Sequence, residues 1–209
     1  QRKYIGCRAG AAIGSNIVAK RLYSTVNVQE TTPSLWLTAS EMAFCKAEGV
    51  LRGWNMGGGT AKEYYERGVT LSFNQWGVDG VATYLLDDTS TEANYADALG
   101  GFGGAAAKAS TITIKWDDNA PMDEKMERLI TQKWIALFPN GQEAWNEIRR
   151  TGYPRIFSVP QATNGYTLLT PNRIPFDKNQ QINNRSNYDK AVELLGGPDD
   201  YATPMWWQR

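Results

Sequence analysis

The 209-residue sequence predicts an all-α fold: tetratricopeptide-like helical hairpins with long irregular loops and a few short strands. Three observations lead there. Thr38-Ala39-Ser40-Glu41 and Thr60-Ala61-Lys62-Glu63 are capping boxes, in which a threonine hydroxyl takes a backbone N–H and the glutamate three residues on reaches back. Apolar residues recur at helical spacing behind each box. A second pair of helical stripes, divided by Phe138-Pro139-Asn140-Gly141, starts near residue 121.

In the first hairpin, about 38–77, Ala43, Ala47, Val50 and Trp54 share one face, and Gly53 with Gly57-Gly58-Gly59 ends the pattern. Tyr65, Val69, Ser72 and Trp76 form the facing stripe, which Gly77 stops. A short glycine turn between two helices forces antiparallel packing. Trp54 and Trp76 are therefore assigned to the core.

Residues 78–120 are richer in Gly, Asp, Thr and Ala and read as a surface excursion, with a short helix over Thr91 to Leu99 and a glycine-rich stretch over Gly100 to Gly104. Thr111-Ile112-Thr113-Ile114-Lys115-Trp116 alternates polar and apolar residues in a β-branched run, the pattern of a half-buried strand.

The second hairpin, about 121–152, pairs a helix bearing Met126, Ile130, Trp134 and Leu137 with one bearing Ala144, Trp145 and Ile148. Asn119 or Asp118 is available to cap the first, with Pro121 in its opening turn, and Asn140 to cap the second. Arg149-Arg150 near its end suit the helix dipole and read as structural. The tail, 153–209, is rich in Pro, Asn, Gly and Gln. It has room for one modest helix, Tyr188 to Leu195, capped by Asn187 and closed by Gly196-Gly197-Pro198, and otherwise wraps the helices.

Composition closes several function classes. Lys plus Arg, 22, balance Asp plus Glu, 22, so no net field draws in nucleic acid. There is no histidine, which removes the commonest general base and metal ligand and every Ser-His or Cys-His pair. Cys7 and Cys45 form no metal-spaced cluster, and Cys45 is expected to be buried. No apolar run approaches the roughly 18 residues that span a bilayer. The opening Gln1 to Cys7 looks like a lipoprotein cleavage site, but no apolar stretch precedes Cys7, so it reads as coincidence in a processed or truncated chain.

Two glycine motifs have a formal likeness to phosphate-binding sequences. Gly101-Phe102-Gly103-Gly104-Ala105-Ala106 fits a dinucleotide fingerprint but leads into no βαβ unit, and Gly57-Gly58-Gly59-Thr60-Ala61-Lys62 lacks the Gly-Lys-Ser/Thr ending of a phosphate loop. The doublets Asp87-Asp88, Asp117-Asp118 and Asp199-Asp200 suit caps and turns better than calcium or glycoside hydrolysis. No cofactor is expected.

Aromatic residues carry the binding hypothesis. Trp 8, Tyr 10 and Phe 6 make 11% of the chain. Those in the excursion, Tyr84, Tyr95, Phe102 and Trp116, have fewer helical neighbours to bury them, and loops on a rigid scaffold often hold ligands. They are the candidate ligand contacts.

Further residues carry a family resemblance. Thr38 to Gly49, followed by Gly53-Trp54, resembles the SusD/RagB segment in which a Thr-x-x-Glu cap opens a helix ending in Ala-Glu-Ala/Gly. The run from Ile130 to Pro154 resembles a consensus of that family. The tail is similar in order and spacing: Arg173-Ile174-Pro175-Phe176, Asn187-Tyr188, Asp199-Asp200 and the closing Thr203-Pro204-Met205-Trp206-Trp207. Tyr4-Ile5-Gly6 and Gly10 also fit. Asp177 stands where a second proline is usual, and Gln180 where a glutamate is usual.

The resemblance covers nearly the whole chain and implies the C-terminal portion of one SusD-like domain. It implies a non-enzymatic lipoprotein on the surface of the outer membrane, lipid-anchored through a segment absent from this chain. Such a protein captures an oligosaccharide or oligopeptide and hands it to a SusC-like TonB-dependent transporter, over whose barrel it forms a lid. The family's ligand contacts vary with substrate, so Tyr84, Tyr95, Phe102 and Trp116 rest on the residues alone. A helical-repeat protein-interaction module and a glycoside hydrolase are the rival readings.

Overall fold

The computed structural model describes residues 4–8, 23–97, 104–157 and 171–208. Its described residues hold seven α-helices and a single two-stranded sheet.

Helix α1, Ala39–Leu51, begins where the Thr38 side chain accepts the Glu41 N–H at 3.1 Å. Helix α2, Ala61–Trp76, opens with both halves of a capping box. Glu63 N–H donates to Thr60 Oγ1 at 3.2 Å, and Thr60 N–H donates to Glu63 Oε2 at 2.7 Å. Between them Gly57, Gly58 and Gly59 all have φ above +80°, a left-handed conformation open chiefly to glycine, so this segment is the turn and not a phosphate loop. Gly68 of α2 lets the helices close: a Cβ there would lie 2.7 Å from the Phe44 ring. Phe44, Ala47, Tyr65, Val69, Leu129 and Ala136 then build the core from α1, α2 and the helix over 122–136.

Helix α3, Val81–Leu85, starts the excursion. The helix expected over Thr91 to Leu99 is replaced by β1, Tyr95–Ala96, paired antiparallel with β2, Ala105–Ala106; Ala98 and Leu99 lie outside the described residues. Side chains zip the two arms together. Glu92 Oε2 accepts the N–H groups of Ala109 and Ser110, and Asn94 Oδ1 accepts that of Lys108. The fingerprint is overturned in part by this pairing, because Ala105 and Ala106 are strand residues; Gly101 to Gly103 lie outside the described residues.

The strand expected over Thr111 to Trp116 does not form. Its backbone groups go to other partners: Ile114 C=O accepts from Tyr65 Oη, Thr113 C=O from Arg128 Nε, and Lys115 N–H donates to Asp87 C=O. With its polar groups so engaged, this backbone joins no ladder.

Helix α4, Met122–Ala136, starts at Pro121 without a side-chain cap, so neither Asn119 nor Asp118 serves there. Asp117 instead closes the turn by accepting the Asn119 N–H. Helix α5, Gly141–Thr151, is capped by Asn140 as expected and ends at Gly152, φ +78°.

Two tryptophans assigned to the core are not in it. Trp54 lies beyond α1, past the turn at Gly53, and is 61% exposed; Trp76, the last residue of α2, is 45% exposed and leans on Phe138. Cys45 is half-buried, its Sγ 3.5 Å from Lys133 Nζ.

The tail contains an unforeseen helix, α6, Lys178–Asn183, and α7, Arg185–Leu195, which begins three residues before the expected start and follows Asn184 instead of Asn187. Asp177, the departure from the family pattern, caps α6 by accepting the Asn179 N–H at 2.7 Å. Asp199 is the hub of this region. It pairs with the buried Arg173 at 2.5 Å and accepts from the Phe176 N–H and Tyr188 Oη. Arg149 of α5 clamps the chain end, its guanidinium 3.7 Å from the Trp145 ring centre and 4.9 Å from that of Trp207.

Candidate functional site

Helix α4 buries one face and offers another. Leu129 and Ile130 point into the core, whereas Arg128, Gln132 and Ile135, spaced at i, i+4 and i+7, line a cavity of about 610 Å³. Much of the opposite wall comes from the excursion, with the 154–157 segment and the Gly6-Cys7-Arg8 stretch at its edge.

Four aromatic side chains, those of Tyr84, Tyr95, Trp134 and Phe157, give the cavity its flat apolar surfaces. Tyr84 of α3 packs its ring 5.1 Å from that of Phe73 and donates its hydroxyl to Gln132 Oε1 at 3.0 Å. Burial pushes its phenol above the usual range, and Asp87 adds to that against the Gln132 bond. Tyr95 of β1 donates to Gly6 C=O and accepts the Arg8 N–H, with its ring 5.8 Å from Phe157. Trp134 of α4 lines the same space and is 37% exposed, although its place in the apolar stripe assigned it to the helix interface.

The four sequence candidates therefore separate. Tyr84 and Tyr95 both line the cavity. Trp116 does not: it is 6% exposed, its ring lies 5.0 Å from Tyr65 in the core, and its Nε1–H donates to Asp118. An indole already enclosed by protein has no face left for a ligand, so the structure corrects that assignment. Phe102 lies outside the described residues. Arg128 and Trp134, which are not among the candidates, line the cavity too; Arg128 belongs to the mixed polar and apolar stripe Arg128, Thr131, Gln132, Ile135, a pattern visible in the sequence, and Trp134 flanks it.

The charged lining is mostly cationic, Arg8, Arg128 and Arg155 against Glu92, and the rest of the polar lining is neutral. Glu92 is occupied by two backbone N–H groups, and Arg155 reaches Glu127 at 3.6 Å. Among the described residues no group of three or more His, Cys, Asp or Glu side chains is gathered in metal-binding fashion. The Asp doublets are spent on turns and ion pairs: Asp87 accepts from Thr89 and Ser90, bonds that hold its carboxyl well below the usual range, and Asp88 pairs with Lys115. No described helix is long and apolar enough to cross a membrane.

The same architecture occurs in solved structures. A SusD-like protein from Bacteroides thetaiotaomicron is 42% identical, with a TM-score of 0.89 over 98% of this chain and 43% of its own. A SusD homolog from Bacteroides uniformis is 43% identical, with a TM-score of 0.84 over 90% of this chain and 39% of its own. A chitin-binding SusD homolog from Flavobacterium johnsoniae is 43% identical, with a TM-score of 0.77 over 83% of this chain and 36% of its own. This chain thus spans about two-fifths of the length of those proteins. Among curated proteins, none matches the chain. The family described as SusD-like, the Susd and RagB outer membrane lipoproteins, matches residues 1–208, and with the shared helical hairpins this chain belongs to that family.

Proposed function

We propose that the protein carrying this chain captures an extracellular nutrient, an oligosaccharide or oligopeptide, at the outer-membrane surface and passes it unaltered to a SusC-like TonB-dependent transporter. The observation that carries this reading is the 610 Å³ cavity walled by Tyr84, Tyr95 and Trp134, in a chain of a lipoprotein family with a chitin-binding member 43% identical to it. Flat aromatic faces beside a few hydroxyls and charges are what a sugar or peptide ligand uses for stacking and hydrogen bonding. Lipid anchoring through an N-terminal segment outside this chain fits the lipoprotein family.

The cavity also supports binding without chemistry. Glycoside hydrolysis requires two carboxyl groups across the scissile bond. Glu92 is the one acidic residue lining the cavity among the described residues, and its Oε2 is already engaged.

The test is a glycan and peptide array with the full-length protein, alongside Tyr95→Ala and Trp134→Ala. Each variant is expected to bind its ligand at least tenfold more weakly, with the ligand recovered intact and the transporter co-purifying with the wild type. Cleavage of the bound molecule, or full binding by both variants, would overturn the reading.

A further inference from the structure

Gln132 differs from its neighbours in the cavity wall by what it leaves uncommitted. It is 7% exposed, and its Oε1 accepts from Tyr84 Oη at 3.0 Å, which places Nε2 on the other side of the amide. Nε2 carries two donors, and neither has a partner among the described residues. It is not shut in either: the enclosed side-chain nitrogens and oxygens without a partner there are Arg128 Nη1 and Arg149 Nε, so Nε2 is open, on a side chain that lines the cavity. Ser110, a neutral polar side chain of the wall enclosed as far, shows the contrast. Its Oγ donates to Glu127 Oε1 at 2.6 Å and accepts the Ile112 N–H at 3.0 Å. Thr131 Oγ1 likewise donates to Glu127 C=O, and Tyr95 Oη to Gly6 C=O. These hydroxyls have placed their protons and are left as acceptors toward a ligand, whereas the free end of Gln132 only donates.

We propose that this cavity takes an acetamido sugar, an amino sugar whose nitrogen is acetylated, with Gln132 Nε2 donating to the acetyl carbonyl. The inference rests on the proposed nutrient-binding function and names the substrate class of that site. A carbonyl oxygen is a pure acceptor and brings no proton of its own, whereas a ring hydroxyl set against Nε2 must also place one. The rest of the wall supplies largely carbon, with Ile135 three residues further along α4 and Ile112 and Ile114 from the excursion, and carbon suits the acetyl methyl. Tyr84, Tyr95, Trp134 and Phe157 offer flat faces to the pyranose ring, and the oxygens of Thr131 and Tyr95 accept from its hydroxyls. A ligand that fills the cavity without bringing an acceptor strands the Gln132 donors away from water, which is the source of the selection. A peptide is the poorer fit, because an extended peptide gains its affinity from a sheet edge, and strands of two residues each offer hardly any.

The test uses the full-length protein and a panel of N-acetylated hexosamine oligosaccharides, each compared by calorimetry with the counterpart that carries a hydroxyl in place of the acetamido group. At least one N-acetylated member is expected to bind tenfold or more tightly than its counterpart. Gln132→Met, similar in length but without the donors, should erase that preference. If Gln132→Met does not fold, the wild-type comparison still decides. No N-acetylated member exceeding its counterpart, a preference that survives in a folded Gln132→Met, or binding of peptides alone would each overturn the proposal. Binding of glycans without such a preference sinks this inference and leaves nutrient capture standing, whereas no binding on any array sinks both.

Discussion

The guanidinium of Arg150 in α5 holds both carboxylate oxygens of Glu48 in α1, at 2.5 and 2.6 Å, across 102 positions of sequence. Arg52 adds a second cation to Glu48, and Arg150 also reaches Glu147, which pairs with the buried Lys133 of α4 at 2.9 Å. Three helices are thus joined by one chain of alternating charge. Removing one partner of a buried pair leaves an uncompensated charge and costs about 3–5 kcal/mol. Glu48→Ala is expected near the low end, because Arg150 keeps Glu147 and is partly solvated. Denaturant unfolding measures it, and a loss within noise would show the network to be ornamental.

The same network sets a pH response. Burial raises the Glu48 carboxyl, but hydrogen bonds and charge from Arg150 and Arg52 outweigh it, so the net direction is down from 4.5. Asp199 is likewise lowered, Arg173 overcoming its burial. The unfolded chain therefore takes up protons first as acid is added, and the stability from both groups, complete above the usual carboxylate range, drains away as pH falls through their folded values. Lys133 behaves oppositely: burial lowers it, Glu147 and Cys45 raise it further, and its contribution is lost only as pH climbs past 10.5. Thermal midpoints recorded from pH 7 down to pH 3 should fall, and less steeply in Glu48→Gln.

Two glycines on packed helices separate by what surrounds them. At Gly68 a new methyl would meet the enclosed Phe44 ring, and such overpacking costs about 1–3 kcal/mol. At Gly49 it would meet the flexible Met56 side chain, which can move aside. Gly68→Ala is thus expected to destabilise clearly and Gly49→Ala to be near neutral, alanine's better helix propensity of about 1 kcal/mol offsetting the shift. Equal losses would contradict the packing described.

Tyr65 joins α2 to the excursion through its hydroxyl on Ile114 C=O. Burial holds its phenol far above the usual range, so it stays a donor at any ordinary pH. Tyr65→Phe keeps the ring and orphans the carbonyl, a loss of about 1–3 kcal/mol. Faster amide exchange over residues 111–116 is the expected companion signal.

The helices were legible in the sequence because their ends are local: Thr38, Thr60, Asn140 and Gly152 act within a turn of where they stand. The excursion was not, since its course is set by distant side chains. Alternation over Thr111 to Trp116 describes a strand only if a partner strand exists, and here Tyr65 and Arg128 take the backbone instead. Trp116 and Trp134 exchanged places for the same reason. Helical spacing says which residues share a face, not which face meets the core, so the loop indole became interior and a helix indole became cavity wall.

Neither α6 nor α7 has a fully buried side chain, and Asp199 with Arg173 fastens the region they form. A region held by this ion pair and by the contacts of Trp145 and Arg149 with Pro171, Asn172 and Trp207, with no side chain of its helices in the core, comes loose as one piece before the charge-linked helices give way. Native-state exchange would thus show two tiers in this polypeptide, and a protease at low dose would nick the last thirty or so positions first.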